Sequence, residues 1–285
     1  MVESRGMGFI KTTVILALAL FVLIPVCTLF SGSFMGVDEV YEKIGPVLTE
    51  NSERSAKWFV LPEYPTLRAY VELLLDSPDF FVMFWNSIRL VLPILIGQML
   101  VAVPAAWGFA KFRFKGRKAL FMIYIVLMLM PFQVTMVSNY IVLDTVHLMN
   151  TRLAVILPAI FSTFPVFIVY RFFKGVPDAL LEAAAIDGAG PFDTFLYIGI
   201  PVGAPGIAAA MILGFIEYWS MIEQPLTFIK DRSLWPLSLY LPGSSGNQAA
   251  VALAASIMIL LPPLLVFLAG QKYLEQGIQA VGLKE

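Results

Sequence analysis

Three charged side chains stand inside apolar runs: Arg89, Glu217 and Glu223. A charge in hydrocarbon is costly, and it ordinarily faces a cavity, a partner or a counter-charge. At about 1.5 Å per helical residue, Arg89 and Glu217 both fall roughly 10–12 Å below the same membrane surface. They are expected either to pair with each other or to line a path for a polar solute. The alternative is that they face a partner chain or snorkel outward. Asn86, Ser87 and Gln98 add hydrogen-bonding groups to the run that holds Arg89. Phe84, Trp85, Phe215, Tyr218 and Trp219 lie close by in sequence, and such rings either stack on a ring-shaped solute or pack between helices. The candidates for a translocation path are therefore Arg89, Asn86, Glu217, Trp219 and Glu223. No catalytic set accompanies them. His147 is the only histidine and Cys27 the only cysteine, which excludes Cys/His catalysis, a Cys/His metal cluster and an intrachain disulfide.

A second group of acids sits in EAAAIDGAGPFDTFLYIGIP, residues 182–201, between two long apolar runs. Pro177 suits the start of a helix, where its missing N–H is not needed. Asp178 complements the positive helix N-terminus, and the alanine-rich stretch from Ala179 to Ala185 favours helix. Gly188 can take the left-handed conformation that ends one, and Pro191 can open the next. The pattern predicts helix, sharp turn, helix, with Ala183, Ala184 and Ala185 as a smooth face. A plain solvated loop would also be polar.

The elements that must hold these groups are membrane spans. Of 285 residues 59% are hydrophobic and 14% charged, with a mean hydropathy of +0.83, far from a soluble composition. The net charge of -1 offers no field for nucleic acid. Each crossing needs roughly 20 apolar residues. Six segments qualify: 9–31, 81–110, 118–140, 152–173, 201–224 and 247–272. The first is too long for the apolar core of a signal peptide and reads as a retained span. KFRFKGRK after the second span holds five cations and no acid, which assigns that loop to the cytoplasm. Both termini and the 174–200 loop then share that side. The domain reading is 1–31 as cytoplasmic N-terminus and first span, and 32–79 as an acidic extracytoplasmic loop. Residues 80–272 form a core of five spans that includes the loop 174–201, and 273–285 a cytoplasmic tail.

The acidic segment resembles the EAA loop of ABC importer permeases, on Glu182-Ala183-Ala184, Gly188, Ile198, Ile200 and Pro201 at the family's spacing, with Ile200 where that family has Leu. FWNSIRL, AWGFAKFRFKGRK, LMPFQV and QKYLEQGIQAVGLKE are similar to the maltose-transporter type of sugar permease. Trp219-Ser220-Met221 departs from the Trp-Asn and acid often found there in the family, and the tail also differs. The resemblance implies an all-α polytopic membrane protein of the type I ABC importer permease fold, with six transmembrane helices and a cytoplasmic EAA coupling helix. Glu182, Ala183, Ala184, Asp187, Gly188 and Pro201 would couple it to an ATPase. It further implies a second related permease subunit, two ATPase subunits and an extracytoplasmic substrate-binding protein as partners in a bacterial cytoplasmic (inner) membrane, with a sugar or oligosaccharide as solute. ATP and magnesium would belong to the ATPase and no cofactor to this chain. The chain has no GxxxxGK[ST] phosphate-binding loop, so an ATP-driven reading needs another chain. The alternative is a secondary transporter driven by an ion gradient, which would need internal repeats and buried acids. A membrane-embedded enzyme is disfavoured by the missing catalytic set.

Overall fold

A computed structural model describes residues 5–43, 61–242 and 246–282. The described residues are helical and contain no strand. They divide into two compact units, 1–81 with 240–261, and 82–239 with 262–285.

The first unit opens with α1, Arg5–Gly32. At about 1.5 Å per residue its 28 residues reach about 42 Å, enough to cross a bilayer. Residues 11–26 are exposed all round the helix, as expected of a helix whose solvent is lipid. Two short helices follow, α2 at Val37–Lys43 and α3 at Arg68–Leu75. Glu39 ties this region together. Its carboxylate accepts from Lys43 Nζ at 2.8 Å and from the backbone N–H of Glu63 at 2.9 Å. Partial burial works to raise the Glu39 carboxyl, but the bonds from Lys43, Glu63 and Tyr64 outweigh it and hold the group below its ordinary value. Tyr70 donates its hydroxyl to Ser33 Oγ at 2.7 Å. Residues 44–60 of the acidic loop, including the charged Glu50, Glu53, Arg54 and Lys57, lie outside the described residues, as do Leu283, Lys284 and Glu285 of the tail.

The second unit carries most of the remaining helices. In order they are α4 (Pro78–Lys111), α5 (Arg117–Met128), α6 (Phe132–Thr145), α7 (Leu153–Ile160), α8 (Phe164–Gly175), α9 (Asp178–Ile186), α10 (Pro191–Thr194), α11 (Ile200–Trp219) and α12 (Glu223–Phe228). A final helix, α13, runs over Gly246–Gly282. Trp107 of α4 lies in a buried cluster with Val103, Val169, Phe173 and Ala210. Its ring meets that of Phe173 edge-on at 5.1 Å between centroids. Glycines make this approach possible. A Cβ on Gly199 would stand 2.8 Å from Trp107, one on Gly203 2.2 Å from Phe173, and one on Gly206 2.4 Å from Phe172. Small residues on one helix face let α8 and α11 approach closely, the usual means of packing helices where lipid removes the hydrophobic drive.

Two sequence boundaries need correction. The third expected span, 118–140, is not one helix: α5 and α6 meet at a 100° bend across residues 129–131. Pro131 disfavours helical backbone at Met130 and provides no N–H to continue the ladder. The fifth span begins earlier and ends earlier than 201–224. It runs from Pro191 to Trp219, with a π-helical turn at Phe195–Gly199 just before Pro201, where the missing N–H interrupts ordinary helical bonding. Glu223 therefore lies outside the span, in the first turn of α12. Among the described residues five helices are long and apolar enough to cross a membrane, and the bent pair is the sixth apolar segment.

Candidate functional site

The segment from Val176 to Pro191 forms a sharp elbow. α9 starts after Pro177, whose extended ψ of 136° marks the N-cap. At its other end the N–H of Gly188 donates to the Ala185 carbonyl at 3.1 Å, and that of Ala189 to Ala184 at 2.9 Å. With Gly188 at φ +85° this is a Schellman motif, which closes the helix and reverses the chain. No atom outside its neighbours comes within 4 Å of a Cβ placed on Gly188, so backbone conformation alone requires glycine here. Pro191 opens α10, and the Asp193 carboxylate accepts the Gly190 N–H at 3.3 Å. The predicted helix–turn–helix is present.

The faces of α9 divide unequally. Leu181 packs against the Trp107 cluster, and Ala184, three residues on, is buried at 9% exposure. Glu182, Ala183 and Asp187 are exposed, as are Leu180 and Ile186, the latter at 86%. Sequence reading treats Ala183 and Ala184 alike, but Ala184 faces the chain's own core. The outward face is Leu180, Glu182, Ala183 and Ile186.

Lys111, the last residue of α4, holds this elbow. Its Nζ donates to the Val176 carbonyl at 2.6 Å and to Asp178 Oδ1 at 3.0 Å. The lysine side chain is only 7% exposed, while Asp178 is 75% exposed. The hydrogen bond and charge of Lys111, with a smaller contribution from Arg113, hold the Asp178 carboxyl below its ordinary value. The basic stretch was expected to set topology only. Its first cation also fixes the start of α9, a pairing 67 residues apart that no sequence spacing reveals.

The elements α5 to α8, α11 and α12 line an open cavity of about 660 Å³. Its polar lining includes Thr135, Asn139, Ser162, Glu217, Tyr218 and Gln224, between aromatic walls such as Phe132, Phe161 and Phe164. Gln98, fully buried, donates from Nε2 to the Tyr218 hydroxyl and to the Ala159 carbonyl, both at 2.8 Å. It fixes one wall of the cavity from behind. Asn139 and Gln224 were missed in sequence. The signal was present: polar residues recur through 131–140 of the third apolar run.

Of the five path candidates, the structure brings Glu217 alone to this cavity. Arg89 is exposed on α4, and among the described residues no ion pair joins it to Glu217. Asn86 is spent on structure. Its amide donates to the Ser233 and Trp235 carbonyls at 2.7 and 3.2 Å, and its oxygen accepts from Arg152 Nη2 at 2.9 Å. Beside it, Ser87 Oγ accepts the Leu237 N–H at 2.8 Å. Together they pin the 229–239 segment. Trp219 is 1% exposed, stacked on Phe215 at 5.4 Å and edge-on to Phe84 at 5.8 Å, so its ring is committed to packing. Glu223 Oε1 accepts from Gln133 Nε2 at 2.6 Å, joining α12 to α6 beside the cavity. The described residues contain no group of His, Cys, Asp or Glu suited to hold a metal.

Residues 98–280 match the family described as binding-protein-dependent transport system inner membrane component. The chain belongs to this family. Its relatives include the arabinooligosaccharides transport system permease protein AraQ of Halalkalibacterium halodurans, 28% identical over 78% of this chain and 81% of that one. A probable ABC transporter permease protein of Pyrococcus horikoshii is 32% identical, covering 87% and 89% of the two chains. A crystal structure of a bacterial ABC transporter involved in the import of the acidic polysaccharide alginate aligns with a TM-score of 0.79, at 20% identity, over 96% of this chain and 99% of that one. That likeness establishes the type I importer permease fold. The chain is thus a multi-pass membrane component of a binding-protein-dependent importer, a transporter subunit and not an enzyme.

Proposed function

We propose that this permease forms half of the path by which a saccharide enters a bacterial cell, and that α9 is the handle by which a cytoplasmic ATPase pair moves it. The solute is inferred from the arabinooligosaccharide relative and from a cavity in which hydroxyl, amide and aromatic groups alternate, the composition that recognises a sugar ring. In this reading a second, related permease supplies the other half of the path. A substrate-binding protein delivers solute from outside, and ATP and magnesium bind only to the ATPase. In this reading both termini and the loop 174–201 face the cytoplasm, which the cations of 111–118 support.

The observation that carries the coupling role is the elbow itself. An element meant only to connect spans needs no Schellman closure, buried lysine clamp and outward apolar face in one short helix. Because Leu181 packs α9 against the buried cluster that holds Trp107 and Lys111 fixes it to α4, a push on it moves helices as rigid bodies, the mode expected for alternating access. The test is uptake of labelled arabinooligosaccharide by the whole assembly in proteoliposomes. Uptake is expected to need ATP and magnesium on the ATPase side and to be unaffected when ion gradients are collapsed. Uptake that persists without ATP but follows an imposed ion gradient would overturn the reading.

A further inference from the structure

Among the described residues Glu217 is the one carboxylate lining the cavity, with Glu223 beside it, and no Lys, Arg or His lines it. We propose that this cavity accepts uncharged saccharides and repels anionic ones, with Glu217 as the residue that sets the charge preference. The inference rests on the saccharide reading above and narrows it to a substrate class. A sugar hydroxyl can donate to the Glu217 carboxylate, while Asn139 and Gln224 offer amide donors and acceptors on the same cavity. A uronate or phosphate group finds no cation there. It meets a like charge instead, and Glu217, exposed to the cavity, repels it. The fold shared with an importer of acidic alginate does not carry that substrate to this chain, because the shared feature is the backbone and the discriminating one is a side chain.

The chain's single cysteine allows a direct test. In the assembled transporter, Cys27 is replaced by serine and a reporter thiol is placed in the cavity by Gln224→Cys. The thiol is reacted with trimethylammonium-ethyl and sulfonatoethyl methanethiosulfonate, each rate being normalised to a small free thiol. One nearby negative charge should favour the cationic reagent by about fivefold or more. Adding Glu217→Gln should clearly lower that ratio, with Glu223, bonded to Gln133 beside the cavity, keeping a smaller preference. A parent ratio near one, or a ratio that Glu217→Gln leaves unchanged, would refute the proposal. Asn139→Cys repeats the measurement from a second position, so that failure of one variant to assemble decides nothing by itself. Uptake separates the two layers of inference. With the cysteine-free parent, an arabinooligosaccharide should enter and an alginate oligosaccharide should not. Loss of both uptakes with the reagent preference intact would count against the saccharide reading and leave the charge preference standing. Equal uptake of both would count against the charge preference.

Discussion

Replacing Lys111 by methionine removes the clamp on α9 while keeping the aliphatic stem. The bond to the Val176 carbonyl is short and shielded, with the lysine side chain 7% exposed. A hydrogen bond to a charged group of this kind contributes about 1.5–3 kcal/mol. Val176 is itself buried, at 3% exposure, so its carbonyl loses a partner that water does not readily replace. Asp178 is solvated and re-hydrates freely, and loss of its ion pair is a minor part. A shift of about 2 kcal/mol changes the ratio of held to released α9 by about thirtyfold. In the reconstituted assembly, the number of solute molecules moved per ATP hydrolysed should fall by about tenfold in Lys111→Met, with ATP hydrolysis retained. Lys111→Arg, which keeps a long cationic donor, should retain most coupling, and Asp178→Asn, which leaves the Val176 bond intact, should be mild. Exchange of the two residues should fail, since a carboxylate at 111 would face the Val176 carbonyl. If Lys111→Met couples normally, or if Asp178→Asn is equally damaging, the clamp argument is wrong.

Other outcomes follow from the same geometry. Gly188→Ala forces a side chain into left-handed backbone and should destabilise the elbow by about 1–2 kcal/mol, read as faster hydrogen exchange at residues 184–189. Gly203→Ala places a methyl group against Phe173 and should lower the stability of the purified chain by about 1–3 kcal/mol; adding Phe173→Leu should recover part of the melting temperature. Asn86→Leu leaves Arg152 and two carbonyls without their partner, at a cost of about 2–3 kcal/mol. It should raise proteolysis near residues 229–239 without changing solute selectivity. Asp178 has its folded carboxyl held below the ordinary value, so its contribution is complete above the ordinary carboxylate range and is lost as pH falls through the lowered one. Coupling should therefore decline only when the side bearing α9 is acidified below the ordinary carboxylate range, and Asp178→Asn should remove that component.

The elbow was legible because proline and glycine punctuate it: Pro177, Gly188 and Pro191 each fix a local backbone state regardless of tertiary context. The first span was legible from length and composition. The break near Pro131 carried the same kind of signal, but a run of apolar residues on both sides makes one long span an equally good sequence pattern. The end of the fifth span had no such mark. Trp219 to Ile222 holds neither proline nor glycine, so hydropathy alone extends the span to Gln224. Burial was the hardest property to read. Asn86 and Trp219 have the chemistry of a solute site, and only the fold reveals that one is bonded to the 229–239 segment and the other enclosed by Phe84 and Phe215. Lys111, Val176 and Asp178 meet only after the helices pack, so their spacing in sequence carries no trace of the clamp.

The central claim is that the outward face of α9 is held by a nucleotide-hydrolysing partner. In a Cys27→Ser background, Ile186→Cys places a thiol at the most exposed apolar position of that face. In the assembled transporter a short photoactivatable thiol reagent at this position should cross-link to the ATPase subunit, and ATP should change the yield. Cross-links to lipid or water alone, with the thiol equally reactive in the isolated chain and in the assembly, would contradict the account.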